Sequence, residues 1–267
     1  MNTRKRNYNG TKVLALLLCI CMLPLFTRMD VKAAEEDNVP QKGYAKVNTC
    51  LNVRKDAYDE SAVLEKLAPG EIVTIVQFGE DGWTKVQTDE GTVGFVSSEY
   101  LGIAFSEADK YEILSAAVIT KTDGSSENRN FNMRRAAYSV NGITLQPGDE
   151  FAWYSTENSK GVVGCASKAN GYKEAPVIVN KKSATGYGGG VCQVSTAVYN
   201  CIYKIGIEPT EHHHHSLTSS YVEEGMDATV SYPSKNFVFT NTKDYTIMLE
   251  AYTEDSRVVV VAYKVNY

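Results

Sequence analysis

The hydrophobic positions of this chain change their period along its length. Val13 to Phe26 is an unbroken apolar run of 14 residues behind a basic start at Arg4, Lys5, Arg6 and Lys12. From Gly43 the apolar residues alternate with polar ones in short segments, YAKV, LNVRK, AVLEKLAPGEIVTIVQFGEDGWTKVQ and GTVGFVSSEYL. Turn residues punctuate them: Pro69-Gly70 supplies a fixed φ, and Asp81-Gly82 a positive one. That texture predicts a small all-β barrel. Past Phe105–Tyr111 the period lengthens. Arg129, Met133, Ala136, Ala137 and Val140 recur at helical spacing within Glu127 to Val140, and Asn141-Gly142 ends the run. Val194, Val198, Ile202 and Ile205 predict a second helix, closing near Gly206. Strand patterns then take over in ATVSY, FVFTN, YTIMLEAY and VVVVAYKV. Helices followed by an antiparallel sheet predict an α+β domain. The expected order is an export signal over 1–33, a linker over 34–42, the barrel over 43–104, a linker over 105–110 and the α+β domain over 111–267.

The first apolar run is too short for a membrane span of about 20 residues. Val31-Lys32-Ala33 offers the small-residue pattern of a signal-peptide cleavage site. The alternative is an uncleaved N-terminal anchor. A lipoprotein fits less well, because Leu18 precedes Cys19 where a small residue is expected. Export changes the charge. The whole chain carries −5, whereas without 1–33 it has 21 Lys/Arg against 31 Asp/Glu, a net −10. Such a surface repels nucleic acid and anionic lipid heads, so neither is an expected partner, and a membrane enters only through a retained signal. Cys50, Cys165, Cys192 and Cys201 remain after export. Cys192 and Cys201, on one straight helix, would lie about 13 Å apart, too far for a disulfide. No CxxC or zinc spacing is present, and the four read as mostly free thiols.

The chemistry concentrates in GYGGGVCQVSTAVYN, Gly186 to Asn200. Gly188-Gly189-Gly190 lets the backbone turn sharply and a substrate come close. Cys192 then falls in the first turn of the second helix, where unpaired N–H groups and the positive dipole end favour a thiolate. The same N–H groups, with Gln193 beside them, are candidate donors to an oxyanion. A packed core cysteine is the bland alternative. A phosphate loop is excluded, since neither Gly-Lys-Ser/Thr nor GxGxxG is present. A cysteine nucleophile needs a base, and all four histidines stand together at His212–His215. On an extended segment His213 and His215 face one side and His212 and His214 the other. Their bland reading is adventitious metal binding on an exposed loop; a specific zinc site fits poorly, and no metal or cofactor is expected. Asp227 is a candidate partner for a histidine, or else a turn residue.

Two resemblances sharpen this. Leu51-Asn52-Val53-Arg54, Gly82-Trp83-Thr84-Lys85-Val86 and Gly91-x-x-Gly94-Phe95-Val96-x-Ser98-x-Tyr100-Leu101 resemble the bacterial SH3-like domain. That family commonly binds cell-wall peptide or peptidoglycan, which implies Trp83 and Tyr100 as wall contacts unless they pack the barrel. Asn128-Arg129-Asn130-x-Asn132, Asn141-Gly142, Pro147-Gly148-Asp149-x-Phe151, Gly171-Tyr172, Gly188-Gly189-Gly190-Val191-Cys192-Gln193-Val194-Ser195-Thr196, His215-Ser216, Tyr221 and Asp227-Ala228-Thr229-Val230 resemble the VanW domain over roughly 111–255. Some proteins of that family act as peptidoglycan L,D-transpeptidases with the cysteine of this core as nucleophile. The resemblance implies Cys192 as nucleophile, His215 or His213 as base and Asp227 as its partner. The expected substrate-binding set is Arg129, Tyr187, Gly189, Gly190, Gln193, Ser195 and Thr196, with Arg129 suited to a substrate carboxylate or to a structural ion pair. The family often shows an Arg-His-Pro-His-like segment where this chain reads Glu211 to His215; the last histidine before the serine, His215, aligns best, with His213 as a second candidate. The implied function is an exported, wall-associated enzyme that forms 3→3 cross-links through a thioester. The rivals are a cysteine hydrolase or carboxypeptidase of wall peptides and a non-catalytic wall-binding protein. An NlpC-type hydrolase is disfavoured by the absence of an Asp-Cys-Ser/Gly setting.

Overall fold

The structure is a computed structural model that describes residues 41–79, 81–103, 110–120, 126–179, 182–217, 219–255 and 257–267. The expected signal at 1–33 and nearly all of the two expected linkers lie outside the described residues. Seven strands come first: β1 (Lys42–Ala45), β2 (Leu51–Arg54), β3 (Val63–Leu67), β4 (Ile72–Phe78), β5 (Trp83–Thr88), β6 (Val93–Ser97) and β7 (Leu101–Ile103). They form one antiparallel sheet in the order β3-β2-β6-β5-β4-β1-β7. Alternate residues from every strand, Ala45, Val53, Leu67, Val73, Val86, Val96 and Leu101 among them, meet in one core. A single sheet can bring all its strands to one small core only by curling, which makes this the SH3-like part.

The second part is also rich in strands. β8 (Tyr111–Thr120) precedes α1 (Glu127–Val140), and then come β9 (Ile143–Leu145), β10 (Glu150–Ala152), β11 (Ser159–Val162), β12 (Glu174–Val179) and β13 (Lys182–Tyr187). α2 (Val191–Lys204) is followed by β14 (Pro209–Glu211), β15 (Val238–Thr240), β16 (Ile247–Glu254) and β17 (Arg257–Val265). The main sheet runs β8-β17-β16-β9, a smaller one β11-β10-β15-β14, and β12-β13 is a lone hairpin. The described residues are thus mostly β, with strands both before and between α1 and α2, where the pattern predicted helices first. β10 and β11 escaped the periodicity because they span only three and four residues, and β13 because it is almost wholly exposed. ATVSY is not a ladder strand either: Ala228–Val230 is buried, but only Ser231 joins a bridge, to Lys235.

Ser126 caps α1, its hydroxyl accepting from Arg129 N at 3.2 Å. Asn141 and Gly142, the latter at φ 83°, close it. α2 is buried over most of its surface from Val191 to Ile202, and only its end, Tyr203 and Lys204, is exposed. Both helices pack on one face of the main sheet, burying Ala117, Ile119, Leu249, Val258 and Val260. The intervening residues Ala116, Val118, Val259 and Val261 face the other way, onto Tyr44 and Ile72 of the curled sheet. The four consecutive valines Val258–Val261 are therefore all fully buried, two under the helices and two under the SH3-like part. Polar contacts fasten the same seam: Tyr44 and Tyr252 hydroxyls at 2.6 Å, Lys46 Nζ to Glu254 at 2.8 Å, and Arg257 Nη1 to Lys46 O at 2.6 Å. The SH3-like part is one wall of the structure that holds α2.

Candidate active site

The loop before α2 needs its glycines for two separate reasons. Gly190 is the N-cap residue at φ 106°, a conformation that L side chains rarely adopt, and a Cβ there would lie 2.9 Å from Arg129 Cγ. Gly189 has ordinary φ, but a Cβ would stand 2.4 Å from Pro176 O. The chain therefore runs flush against β12. Asn132, fully buried on α1, locks this contact. Its Nδ2 donates to Lys173 O (2.9 Å) and Gly189 O (3.1 Å), and its Oδ1 accepts from Lys173 N (2.8 Å). One turn earlier Asn128 Nδ2 donates to Glu174 O at 2.9 Å.

This places Cys192 half-buried in the first turn of α2. Its sulfur lies 3.5 Å from Thr229 Oγ1 and 3.6 Å from Val230 O, and the His215 imidazole is near enough to act on it electrostatically. His215 Nδ1 is 2.5 Å from Asp227 Oδ2, and the His215 N–H donates to the same oxygen at 2.7 Å. A carboxylate only accepts, so Nδ1 carries the proton and Nε2 is left for the thiol. The Tyr221 ring meets His215 edge-on at 6.3 Å. Cysteine, histidine and aspartate thus stand in series.

Burial pushes the Cys192 thiol up, but the His215 imidazole, with Thr229 and a backbone bond at Val230, outweighs it and holds the thiol below its ordinary value. For His215, burial works against the charge, whereas Cys192 and then Asp227 favour it, and the imidazole ends above its ordinary value. The two shifts have one sense: each group favours the charged form of the other, a thiolate–imidazolium pair. Cys192 should therefore react with iodoacetamide near pH 7 several-fold faster than exposed Cys50, by an order-of-magnitude argument from thiolate fraction. Its reactivity should fall on acidification below the lowered thiol value. Peptide mapping of alkylated protein between pH 5 and 9 reads both rates; a profile for Cys192 rising only near that of an ordinary thiol contradicts the pair. Cys201 is fully buried, bonded to Ser115, and pushed up to about 11, so it should stay unlabelled.

The remaining expected site residues divide. His213 does not reach the thiol: its Nε2 sits 2.9 Å from Glu211 Oε1, while its carbonyl accepts from Thr229 N at 2.8 Å. Gln193, Ser195 and Thr196 require correction as substrate contacts, because all three are fully out of solvent. Gln193 turns to the far side of α2, donating to Thr120 O at 3.2 Å and facing Arg129 Nη2 at 3.4 Å, so it does not serve as an oxyanion donor. Ser195 donates to Ala228 O at 2.7 Å, and Thr196 accepts from Ala228 N at 3.0 Å. They staple α2 to the segment that carries Asp227 and Thr229. The Val191 and Gln193 N–H groups are already bonded to Gly188 O and Gly190 O, both at 3.0 Å. Gly189 and Gly190 are buried, and Tyr187 is exposed at the end of the hairpin beside the loop.

Arg129 is half-buried, with Nη1 3.4 Å from Pro176 O, and its Nε is sealed from water without a hydrogen-bond partner. Among the described residues no carboxylate pairs with it. On the SH3-like part, Trp83 lines a cleft of about 320 Å³ with Ala57, Gln77, Asp81, Lys85 and Phe95. Tyr100 is exposed but does not line it. Among the described residues no cluster of His, Cys, Asp or Glu is arranged for a metal ion, and no helix is long and apolar enough to cross a membrane.

Sequence reading missed Asn132, Thr229 and Tyr221 as parts of the site. The signal for Asn132 was its spacing from Asn128, two weak helix formers at i and i+4 on one face of a helix.

Comparisons with known proteins agree with this layout. Residues 128–263 match the family described as VanW like protein, and residues 50–102 match the bacterial SH3 domain. The uncharacterized protein YoaR of Bacillus subtilis is 29% identical over 145 residues, 54% of this chain and 46% of that one. The vancomycin B-type resistance protein VanW of Enterococcus faecalis is 26% identical over 138 residues, 50% of this chain and 48% of that one. The chain thus spans about half the length of those two relatives. The probable endopeptidase p60 of Listeria welshimeri is 37% identical over 60 residues, 22% of this chain and 12% of that protein. A solved structure, NlpC2 from Trichomonas vaginalis, superposes with a TM-score of 0.22 and 11% identity over 85% of this chain and 72% of that one, too slight a likeness to bear on the fold.

Proposed function

We propose, given that this chain belongs to the family of VanW-like proteins and carries a bacterial SH3 domain, that it is an extracytoplasmic, cell-wall-associated peptidoglycan L,D-transpeptidase. The observation that supports this most is His215 held between Cys192 and Asp227 at the start of α2. Cys192 thiolate attacks the carbonyl between the third stem residue, a diamino acid, and the terminal D-Ala. A carbon–sulfur bond forms, the amide breaks, and His215 gives its proton to the departing D-Ala amine. The side-chain amine of a second stem then attacks the thioester. The carbon–sulfur bond breaks, His215 takes the amine proton, and a 3→3 cross-link results. Asp227 keeps Nδ1 protonated throughout. The Arg129 guanidinium, bonded to Pro176 O and Gln193 Oε1, supports the loop and helix start that carry Cys192. The Trp83 cleft, with an aromatic floor and both charge signs at Asp81 and Lys85, suits a zwitterionic wall peptide. No cofactor takes part.

Incubation with disaccharide-tetrapeptide, followed by mass spectrometry, tests the reaction. A cross-linked dimer lacking one D-Ala is the expected product. Monomeric tripeptide alone would make water the acceptor and the protein a carboxypeptidase. The absence of both products would overturn the enzymatic reading.

A further inference from the structure

The run His212–His215 invites a metal-binding reading, yet three of its rings converge on one residue. His212 Nε2 lies 2.8 Å from Asp227 O, and His214 Nδ1 lies 3.0 Å from Asp227 Oδ1. His215 takes Oδ2 with both its ring and its backbone N–H. Each Asp227 oxygen therefore has a histidine of its own. A carboxylate held at one oxygen alone can swing about its Cβ–Cγ bond; held at both, it has one orientation. His214 is itself braced. Its ring meets His212 edge-on at 4.6 Å, and His212 stacks on Tyr199 of α2 at 4.2 Å. The brace thus reaches back to the helix that begins with Cys192.

We infer that His214 is a positioning residue, which fixes the Asp227 carboxylate through Oδ1 and thereby aims His215 at Cys192, with His212 as its brace. The inference rests on the Cys192–His215–Asp227 arrangement and deepens the proposed function. The Asp227 charge also acts on the Tyr199 and Tyr221 hydroxyls, adding to the burial that raises both. Lys235 Nζ reaches the His214 carbonyl at 3.3 Å and is the nearby cation. Removing the His214 donor frees Oδ1, loosens the bond to His215 Nδ1, and weakens the imidazolium that stabilises the thiolate.

The test uses the full chain as wild type, His214→Ala and His214→Asn, with two readouts that need no wall substrate. Asparagine can place an N–H near the position of Nδ1. Iodoacetamide labelling of Cys192 against pH is expected to slow about fivefold at pH 7 in the alanine variant and to return to within about twofold in the asparagine variant, the effect of one charge-assisted hydrogen bond at a partly exposed site. The His215 titration followed by NMR on labelled histidine is expected to move down in the alanine variant and to recover in the asparagine variant. An unchanged His215 titration in the alanine variant, or an asparagine variant that behaves as alanine does, overturns the inference. Slow Cys192 labelling in the wild type would instead contradict the proposed nucleophile, and the His215 titration would still decide the role of His214.

Discussion

Cys192→Ala is expected to abolish turnover of disaccharide-tetrapeptide, a fall of about 10⁴-fold or more, because no other group at the start of α2 can form the acyl bond. His213 is engaged with Glu211, and Ser195, three residues on, is fully buried with its hydroxyl donated to Ala228 O. The fold should survive the change. Alanine is the best helix former, and the thiol contributes only a half-buried atom with long contacts to Thr229. The thermal midpoint should therefore stay within a few degrees of wild type. Measuring both on one preparation separates lost chemistry from lost structure. Retained turnover in this variant would remove Cys192 from the mechanism.

Asp227→Asn should be the next most damaging change, lowering kcat by about 10²- to 10⁴-fold with little change in overall fold. Asp227 receives three donors on its two oxygens: the His214 ring, the His215 ring and the His215 N–H. An asparagine offers one oxygen, so at least one donor meets an NH₂ group. The lost negative charge also lowers the His215 imidazole from its raised value. The sign follows from the arrangement: a weaker imidazolium raises the thiol, and activity near neutral pH drops. Stability gives a second readout. Burial alone would raise the Asp227 carboxyl, but the bonds from His215 and His214 hold it below 3.8. Its contribution is thus complete above about pH 4 and fades as pH falls through the lower folded value. The asparagine variant should lack that part of the acid-side slope in unfolding experiments run from pH 5 to 2.

The sequence carried the local parts of this site well. Three glycines before Cys192 and a helix beginning at Val191 are written in one short stretch, because loop and helix start are both set by neighbouring residues. The preference for His215 over His213 came from the resemblance and not from the local pattern. Residues 212–215 lie outside any strand, and their partners, Glu211, Asp227 and Cys192, are fixed by tertiary packing. Gln193, Ser195 and Thr196 misled for a related reason. Adjacency to a nucleophile suggested substrate contact, whereas each helical residue turns about 100° from the last. That rotation sends Gln193 toward β8 and Ser195 toward Ala228. The least legible feature was the seam between the SH3-like part and the main sheet. The valine run Val258–Val261 announced a strand, but nothing local to it shows that Tyr44 and Ile72 cover its second face. A contact between residues some 200 positions apart leaves no periodicity to read.

The central claim is that Cys192 carries the acyl group. Intact-protein mass spectrometry of wild type, acid-quenched early in its reaction with disaccharide-tetrapeptide, tests it most directly. The expected adduct has the mass of the substrate less D-Ala, maps to the peptide containing Cys192, and disappears on treatment with neutral hydroxylamine. Product formation with no such adduct, or with an adduct on another residue, would contradict the account.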